Sequence, residues 1–366
     1  MRYAHAQGPF GEPWESLAAE VPAVTVFPYV DAGSTDHEGL GRAIGEQLRR
    51  PIRAQCDKIL TELSRRASRE SLNQVAERLL AQGARAFPQY VREIEGMAAG
   101  AGVDFRHMLL TCLEESAQSA LRERCTTIAF AADGCTLLGH NEDWAPGFED
   151  GFYVVRATMP DGVAFLSLAY MGSPPGSSVA LNSHGIAFSG NSLLGLQQPG
   201  IAKNLLLRSQ IEACSLADFE RRATRTPRAI SNNTMALDRD GGVVNIEMAL
   251  AEHAVLRPDD GILVHTNHVL APQLERHERF ERPCSRRRHA TASDMASVAP
   301  PSKDLMRRIL LSHDGWPHSV CLHAATEHYD DAQTVASAIV DLAEMSLEVA
   351  KGPPCAHRFE TYRLAA

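Results

Sequence analysis

The chain lacks three features that would each point to a particular class of protein. It has no apolar run of the ~18 residues that a membrane span requires, and its first residues contain no apolar core of a secretory signal. It also has no excess of basic residues, since 36 Lys and Arg stand against 45 Asp and Glu, a formal charge of −9. Because a nucleic-acid surface needs clustered cations, we expect no nucleic-acid partner, no membrane span and a cytoplasmic location.

Paired cysteines are missing as well. The chain has eight cysteines, and no two of them show the Cys-x-x-Cys spacing. In a chain without a secretory signal, this pattern predicts reduced thiols instead of a disulfide framework. Most such cysteines serve as small buried apolar side chains, so the question is whether one of them differs.

Helical patterning dominates the chain up to residue 124. Apolar residues spaced three or four apart predict an amphipathic helix over 37–66, and similar patterns predict helices over 69–82, 86–98 and 104–122. We therefore expect residues 1–124 to form a helical segment.

Short β-rich runs separated by turns dominate after residue 124. They predict five hairpins, several with an Asp-Gly turn. The paired runs are 126–131 with 136–139, 153–159 with 163–169, 179–182 with 186–189, 234–238 with 243–248, and 254–256 with 261–265. Repeated hairpins are typical of an antiparallel meander, so we predict an α+β body over 125–366.

Other elements of this body are predicted from local pattern. We expect helices over 201–214, over 215–224, from Ser285 through Arg288 and beyond, and over 331–336, with β-like texture over 334–350, clearest at 346–350. The charged, proline-containing stretch 271–304 predicts exposed loops outside its helix. We interpret the pair Asn232-Asn233 most simply as a turn before a strand, with an approach to the pocket as the alternative.

A polar cluster lies where the first two strands of the body meet. Cys125 opens one strand, and the next ends in His140-Asn141-Glu142-Asp143. Adjacent antiparallel strands bring the start of one beside the end of the other, so these residues are expected at one edge of a sheet. A cysteine thiolate is a nucleophile, which makes this edge the candidate active site.

The segments around and after Cys125 resemble the acyl-coenzyme A:6-aminopenicillanic acid acyltransferase family of N-terminal nucleophile hydrolases. The matching segments, in family order, are Cys125–Thr127, Leu138–Trp144, Asn182–Ile186, Ser189–Asn191, Val264–His268, Leu311–Gly315, Ser319–His323 and Gly352–Cys355. The resemblance implies a four-layered αββα fold with a helical N-terminal segment. It also implies a precursor that cleaves itself between Arg124 and Cys125, although many relatives have glycine in place of Arg124.

The resemblance further implies a role for each site residue. Cys125 is the nucleophile, and the α-amine freed by cleavage is its base. An α-amine has a pKa of roughly 7.7–8.0, so a useful fraction is unprotonated at neutral pH. By resemblance, Asp143 orients the amine, Asn267 stabilises the oxyanion, Asn191 is a second asparagine at the pocket, and His140 contacts substrate.

The expected substrate is a small amide or acyl donor, for example an acyl-CoA or a peptide-like amide. Water would resolve the thioester acyl-enzyme in a hydrolase, and an amine would do so in an acyltransferase. No cofactor is expected. The fragments 1–124 and 125–366 are expected to stay associated, because the helices have apolar faces to bury.

No metal is expected either. His313, His318, His323 and His328 recur every five residues, a spacing that does not stack on one face of a helix. We interpret these histidines as structural or as part of the pocket wall.

Two other functions remain open. One is a hydrolase of another design, in which an internal Cys125 works with a distant His265 or His268 and needs no chain cleavage. The other is an uncleaved, non-catalytic binding module.

Overall fold

The computed structural model describes residues 26–112, 124–278, 281–324 and 332–364. Strands β1 to β14 are Tyr29–Ser34, Arg124–Phe130, Leu137–Trp144, Phe152–Thr158, Ala164–Tyr170, Val179–Asn182, Ile186–Gln197, Ile230–Asp238, Val243–Ala249, Glu252–Leu256, Ile262–His265, Gln333–Asp341, Ser346–Lys351 and Glu360–Arg363. Helices α1 to α9 are His37–Gln47, Arg49–Arg66, Arg69–Ala86, Pro88–Ala101, Phe105–Cys112, Lys203–Gln210, Leu216–Ala223, Pro283–Ser297 and Lys303–Leu310, and a 3-10 helix spans Pro272–His277.

These strands form two sheets. The larger has the order β1-β4-β5-β6-β7-β8-β9-β10, and only its β1–β4 pair is parallel. The smaller is antiparallel throughout, in the order β11-β2-β3-β12-β13-β14. Consecutive strands from β4 to β10 are neighbours, which confirms the predicted meander.

Three apolar cores separate four layers. Between the sheets, Leu138 packs with Leu168 and Leu181 in one cluster. Helices α1 to α7 bury their apolar faces with residues of the larger sheet such as Tyr153 and Phe188. On the other side, α8 and α9 pack on the smaller sheet, for example through Met306. The predicted α+β fold with αββα layers is therefore confirmed.

Glycines allow α1 and α4 to pack with their backbones in close contact. Gly41 and Gly45 lie on α1, and Gly96 and Gly100 on α4, each pair four residues apart and so on one helix face. A Cβ built at Gly45 would lie 2.7 Å from the backbone nitrogen of Ala101. A side chain at this crossing would therefore push the helices apart.

Some of the predicted helices differ in extent or type. The helix expected over 37–66 is two helices that meet at Leu48. Pro51 explains the break, because a proline clashes with the carbonyl four residues earlier but fits the first turn of a new helix. The predicted helix over 331–336 is wrong, since β12 begins at Gln333. The helix expected over 104–122 is seen as α5, and its part from residue 113 lies outside the described residues.

Two strand predictions are also wrong. The runs 254–256 and 261–265 do not form a hairpin, because β10 pairs with β9 while β11 pairs with β2 of the other sheet. Asn232 and Asn233 are not a turn but buried positions of β8. The chain therefore changes sheets between β10 and β11, and that crossing brings the segment after β11 beside Cys125. Among the described helices, none is long and apolar enough to cross a membrane.

Candidate active site

Cys125 is the second residue of β2 and lies directly opposite Glu142 of β3. Thr127 lies opposite His140 two residues further along, so these four side chains share one face of the sheet. The Thr127 hydroxyl is 3.0 Å from Ser189 Oγ of β7. This face is therefore the one that packs on the larger sheet, and Cys125 lies between the two sheets, 2% exposed.

A buried carboxylate is the nearest acidic group to the thiol. Cys125 Sγ lies 3.5 Å from Glu142 Oε2, and the Tyr170 hydroxyl donates to that same oxygen at 2.7 Å. The other oxygen, Oε1, is 3.2 Å from His140 Nε2. Burial alone would raise the pKa of Glu142, but the charge of His140 and the hydrogen bonds from His140, Ser178 and Tyr170 hold it below its ordinary value. Glu142 is therefore ionised at neutral pH.

Asn191 joins this network through its side-chain oxygen. Thr127 Oγ1 donates to Asn191 Oδ1 at 3.0 Å, and Asn233 Nδ2 approaches the same oxygen at 3.3 Å. The Asn191 Nδ2 group is buried and has no hydrogen-bond partner within the part of the chain that the structure describes. Leaving such a donor unpaired costs about 1–3 kcal/mol, so this amide can accommodate an incoming oxygen at little further cost.

Two side chains hold the backbone of Cys125. The Cys125 N–H donates to Asn267 Oδ1 at 2.8 Å, and Arg288 Nη1 donates to the Cys125 carbonyl at 2.6 Å. Arg288 also donates to Asn267 Oδ1 at 2.8 Å and to Thr126 Oγ1 at 2.7 Å. Burial would lower the pKa of Arg288, but nearby groups, chiefly Cys284 and Asp143, raise it above its ordinary value. The guanidinium therefore stays charged.

The orientation of Asn267 follows from its partners. Its oxygen faces two donors, and its Nδ2 donates to the Ser192 carbonyl at 3.0 Å. A flipped amide would place donor against donor on one side and oxygen against oxygen on the other. In the intact chain, Asn267 therefore binds the nitrogen that cleavage would turn into an amine. Its predicted oxyanion role stays a prediction.

Asp143 lies on the other face of the smaller sheet. Its Oδ1 accepts a hydrogen bond from Thr334 Oγ1 at 2.7 Å, and its Oδ2 is 3.7 Å from Arg288 Nη1. Strand alternation separates it from the Cys125 thiol, which points to the opposite face. Asp143 is therefore linked to Cys125 through Arg288, which contacts both, and its role in orienting the amine stays a prediction.

The two distant histidines are engaged elsewhere. His265 Nε2 pairs with Glu247 Oε1 at 2.9 Å, and His268 Nδ1 lies 2.8 Å from Ser285 Oγ. Burial, followed by the charges of neighbouring histidines and arginines, lowers the pKa of His268 to about 3. The imidazole that the structure brings near Cys125 is His140, because ligand atoms of Cys125, His140 and Glu142 all lie within 4.8 Å of one another.

An aromatic pocket adjoins the carboxylate. Tyr170, whose hydroxyl binds Glu142, also lines this pocket together with Trp144 and Phe148. Gln55 and Ile59 of α2 complete part of its wall. The N-terminal helices and the body therefore both contribute to the space beside the site.

Sequence reasoning missed Glu142, Tyr170 and Arg288 as site residues. The strand pairing is the signal that could have identified Glu142. When the two predicted strands are paired so that Cys125 lies opposite the polar motif, Glu142 is the motif residue directly across from it. Arg288 belongs to a run of three arginines that reads as a solvated basic cluster. Only the fold shows that Arg288 is fully buried while Arg286 and Arg287 are exposed.

Two stacked sheets between helical layers, with a cysteine near the start of an inner strand, place the fold among the N-terminal nucleophile hydrolases. The model of one family, described as acyl-coenzyme A:6-aminopenicillanic acid acyl-transferase, matches residues 130–355. This match covers more than half of the chain, which therefore belongs to that family.

Individual proteins are similar to parts of the chain. The beta-alanyl-dopamine/carcinine hydrolase of Drosophila melanogaster is 37% identical over 126 residues, which cover 29% of this chain and 33% of that protein. The chain thus matches about a third of the length of this relative.

Solved structures also align with it. The Caenorhabditis elegans N-acylethanolamine-hydrolyzing acid amidase ortholog aligns at a TM-score of 0.44 and 13% identity, covering 66% of this chain and 100% of that one. Penicillin V acylase from Agrobacterium tumefaciens aligns at 0.43 and 10% identity, covering 62% and 82%.

Proposed function

We propose that the protein is a self-processing N-terminal cysteine enzyme that cleaves or transfers the acyl group of small amides through Cys125. One observation carries this proposal. The backbone N–H and carbonyl of Cys125 are bound by the side chains of Asn267 and Arg288, with contacts of 2.8 and 2.6 Å. Such contacts would keep the Cys125 nitrogen in place after cleavage of the Arg124–Cys125 bond.

Self-cleavage would begin with the thiol. The Cys125 sulfur attacks the Arg124 carbonyl carbon, the Arg124–Cys125 peptide bond breaks, and the Cys125 nitrogen leaves as an amine. The product is a thioester, which water hydrolyses to an Arg124 carboxylate and a free thiol. Glu142 is ionised and 3.5 Å from the sulfur, so it is suited to accept the thiol proton. That proton ends on the Cys125 nitrogen as the peptide bond breaks, which leaves Glu142 ionised again.

Amide turnover would then use the new amine as base. The thiolate attacks the substrate carbonyl, and the amine returns a proton to the leaving nitrogen. The buried Asn191 Nδ2 group is a candidate donor to the developing oxyanion. Asp143 and Arg288 would position Cys125 from the other face of the sheet.

The aromatic pocket suggests the substrate. Trp144, Phe148 and Tyr170 offer ring faces next to the carboxylate, and the Drosophila relative carries the name beta-alanyl-dopamine/carcinine hydrolase. We therefore propose N-acyl derivatives of small amines with a planar ring as substrates.

Intact mass under denaturing conditions tests the proposal. Wild-type protein is expected to give fragments of about 13 and 26 kDa from the 39.9 kDa chain, and Cys125→Ala is expected to remain whole. The exposed Cys214→Ser variant is the matched control and should cleave normally. A wild-type chain that stays whole on long incubation would contradict self-processing.

Acyl transfer to Cys125 is tested next. Incubation with beta-alanyl-dopamine or carcinine should release the amine and add a beta-alanyl mass to the fragment that begins at Cys125. Turnover by a whole, uncleaved chain would instead favour an internal Cys125–His140 enzyme. Absence of both cleavage and acylation across an amide panel would favour the non-catalytic binding module.

A further inference from the structure

A second cluster of reactive side chains lies outside the candidate active site. Ligand atoms of His313, Cys321, His323 and Cys355 all lie within 4.8 Å of one another. Cys321 Sγ is 3.6 Å from Cys355 Sγ, and His313 Nε2 is 3.1 Å from His323 Nε2. His323 Nε2 lies 3.5 Å from Cys321 Sγ and 3.3 Å from Cys355 Sγ. Two sulfurs and two nitrogens thus converge on one point.

These spacings agree with tetrahedral zinc. Zinc bonds of ~2.3 Å to sulfur and ~2.05 Å to nitrogen give tetrahedron edges of about 3.8 Å between sulfurs, 3.4 Å between nitrogens and 3.6 Å between sulfur and nitrogen. Each observed spacing is within a few tenths of an ångström of its edge. A tetrahedral set of two thiolates and two imidazoles is also the donor chemistry that selects zinc.

The fold builds this arrangement from two segments. His313, Cys321 and His323 lie in the loop between α9 and β12, which closes when the Cys321 N–H donates to the Ser312 carbonyl at 2.9 Å. Cys355 comes from the loop after β13, which pairs with β12. Cys355 is exposed, so an ion can enter from solvent. His328, the last of the four regularly spaced histidines, lies outside the described residues.

We propose that His313, Cys321, His323 and Cys355 bind one structural zinc ion. Four protein ligands leave no open coordination position, which is the mark of a structural site instead of a catalytic one. Histidines five residues apart do not lie on one face of a helix, so their spacing alone does not indicate a metal site. Two of those histidines and two cysteines meet through loops.

The proposed ion would support the candidate active site. Leu322 lies between two of the ligands, and its N–H donates to Thr334 Oγ1 at 2.9 Å while its carbonyl accepts from the Thr334 N–H at 2.9 Å. Thr334 Oγ1 in turn donates to Asp143 Oδ1 at 2.7 Å. Zinc would hold this loop against β12 and thereby fix Asp143, which pairs with Arg288.

Metal analysis of the full-length protein tests the site. Protein purified with zinc present and then desalted should hold about one zinc per chain. Cys355→Ser and His323→Gln should each reduce the zinc retained by about tenfold or more. Cys214→Ser is the matched thiol control and should retain it. Cys125→Ala should also retain it, which separates this site from the Cys125, His140 and Glu142 group.

A spectroscopic measurement guards against variants that misfold. Cobalt(II) added to the zinc-free wild type should give the intense visible bands of a tetrahedral site and a thiolate-to-metal charge-transfer band. In Cys355→Ser, Cys321 is the one thiolate left in the ligand set, so the charge-transfer band should fall to about half of its wild-type intensity or less. The proposal would be overturned if the wild type held no zinc although its cysteines were reduced. Reaction of all eight thiols with a thiol reagent under denaturing conditions shows that they are reduced. A disulfide between Cys321 and Cys355, which needs the sulfurs to close from 3.6 Å to about 2.05 Å, would overturn the proposal as well.

Discussion

At the residue scale, the candidate site depends on which face of a strand each side chain takes. Cys125 and Glu142 face the larger sheet, whereas Asp143 faces the helices α8 and α9. Adjacent residues of one motif therefore act on opposite sides of the same strand. Glu142 contributes charge next to the thiol, and Asp143 contributes charge next to Arg288, behind the backbone of Cys125.

Glu142→Gln is expected to weaken the fold in a pH-dependent way. Its folded pKa lies below the ordinary 4.5, so the stability from its ionised form is present above about pH 4.5 and is lost as the pH falls through the folded pKa. At about pH 7 the variant should lose about 1–3 kcal/mol of unfolding free energy, the value of hydrogen bonds to a charged group. Urea unfolding in the uncleaved Cys125→Ala background measures this loss.

The control for this measurement is Glu46→Gln, an exposed carboxylate on α1. It should change stability little at either pH. An equal loss for Glu142→Gln at about pH 7 and about pH 3 would mean that folding does not lower the pKa of Glu142.

At the scale of elements, the sequence predicts pairings between strands that are consecutive along the chain. It does not predict pairings between strands that are far apart in the sequence. The hairpins from β2–β3 to β8–β9 are recoverable, because each has its own turn. Strand β1 pairs in parallel with β4, and β11 pairs with β2 across more than a hundred residues. No local pattern specifies either pairing, and the β11–β2 pairing is what positions Asn267 beside Cys125.

The site shows the same division. Cys125, His140 and Asn191 could be named from motifs, and the structure brings their side chains into one network. Glu142 and Arg288 required knowledge of register and burial. Polar residues in short runs favour turns, but Asn232 and Asn233 are buried in β8, where Asn233 Nδ2 donates to Asn245 Oδ1 at 2.8 Å.

Gly45→Ala tests the close packing of α1 on α4. Overpacking costs about 1–3 kcal/mol, whereas replacing a helical glycine returns about 1 kcal/mol. The contact at Gly45 is with backbone atoms, including Ala101 N at 2.7 Å, which cannot rotate away. We therefore expect a cost in the upper part of that range, about 2–3 kcal/mol, and a net loss of about 1–2 kcal/mol after the gain in helix propensity, measured by thermal or urea unfolding.

The exposed Gln47→Ala on the same helix is the control. It changes helix propensity without adding a contact and should be close to neutral. If Gly45→Ala were as stable as this control, the two helices would not be in the close contact that the structure describes.

At the scale of the whole molecule, the two predicted fragments share one core. Val30 of β1 pairs beside Val155 of β4, and Glu93 of α4 forms a fully buried pair with Arg208 of α6 at 3.0 Å. The helices before residue 113 and the larger sheet are joined in a single apolar cluster. Cleavage at residue 124 would therefore cut the chain without dividing the fold.

Cleaved protein is accordingly expected to run as one species in size-exclusion chromatography and to separate only in denaturant. Arg208→Met removes the guanidinium from the buried Glu93 carboxylate, which keeps its 3.0 Å contact with His37, and should cost about 3–5 kcal/mol, lowering the denaturant midpoint for separation. Arg221→Met, at an exposed arginine, is the matched control. Fragments that separate in native buffer would show that the shared core does not hold them together.

The place of β2 within its sheet has a consequence for the proposed new chain end. An ordinary terminus frays, because nothing pairs with one or both of its sides. Strand β2 pairs with β3 at Cys125, and its pairing with β11 begins two residues later at Thr127, so a chain that began at Cys125 would begin against a neighbouring strand. The amine and thiol of that residue would then have lost most of their freedom during folding, before any substrate arrived. Part of the entropy of bringing reacting groups together would already have been supplied by the pairing with β3 and by the hydrogen bond to Asn267.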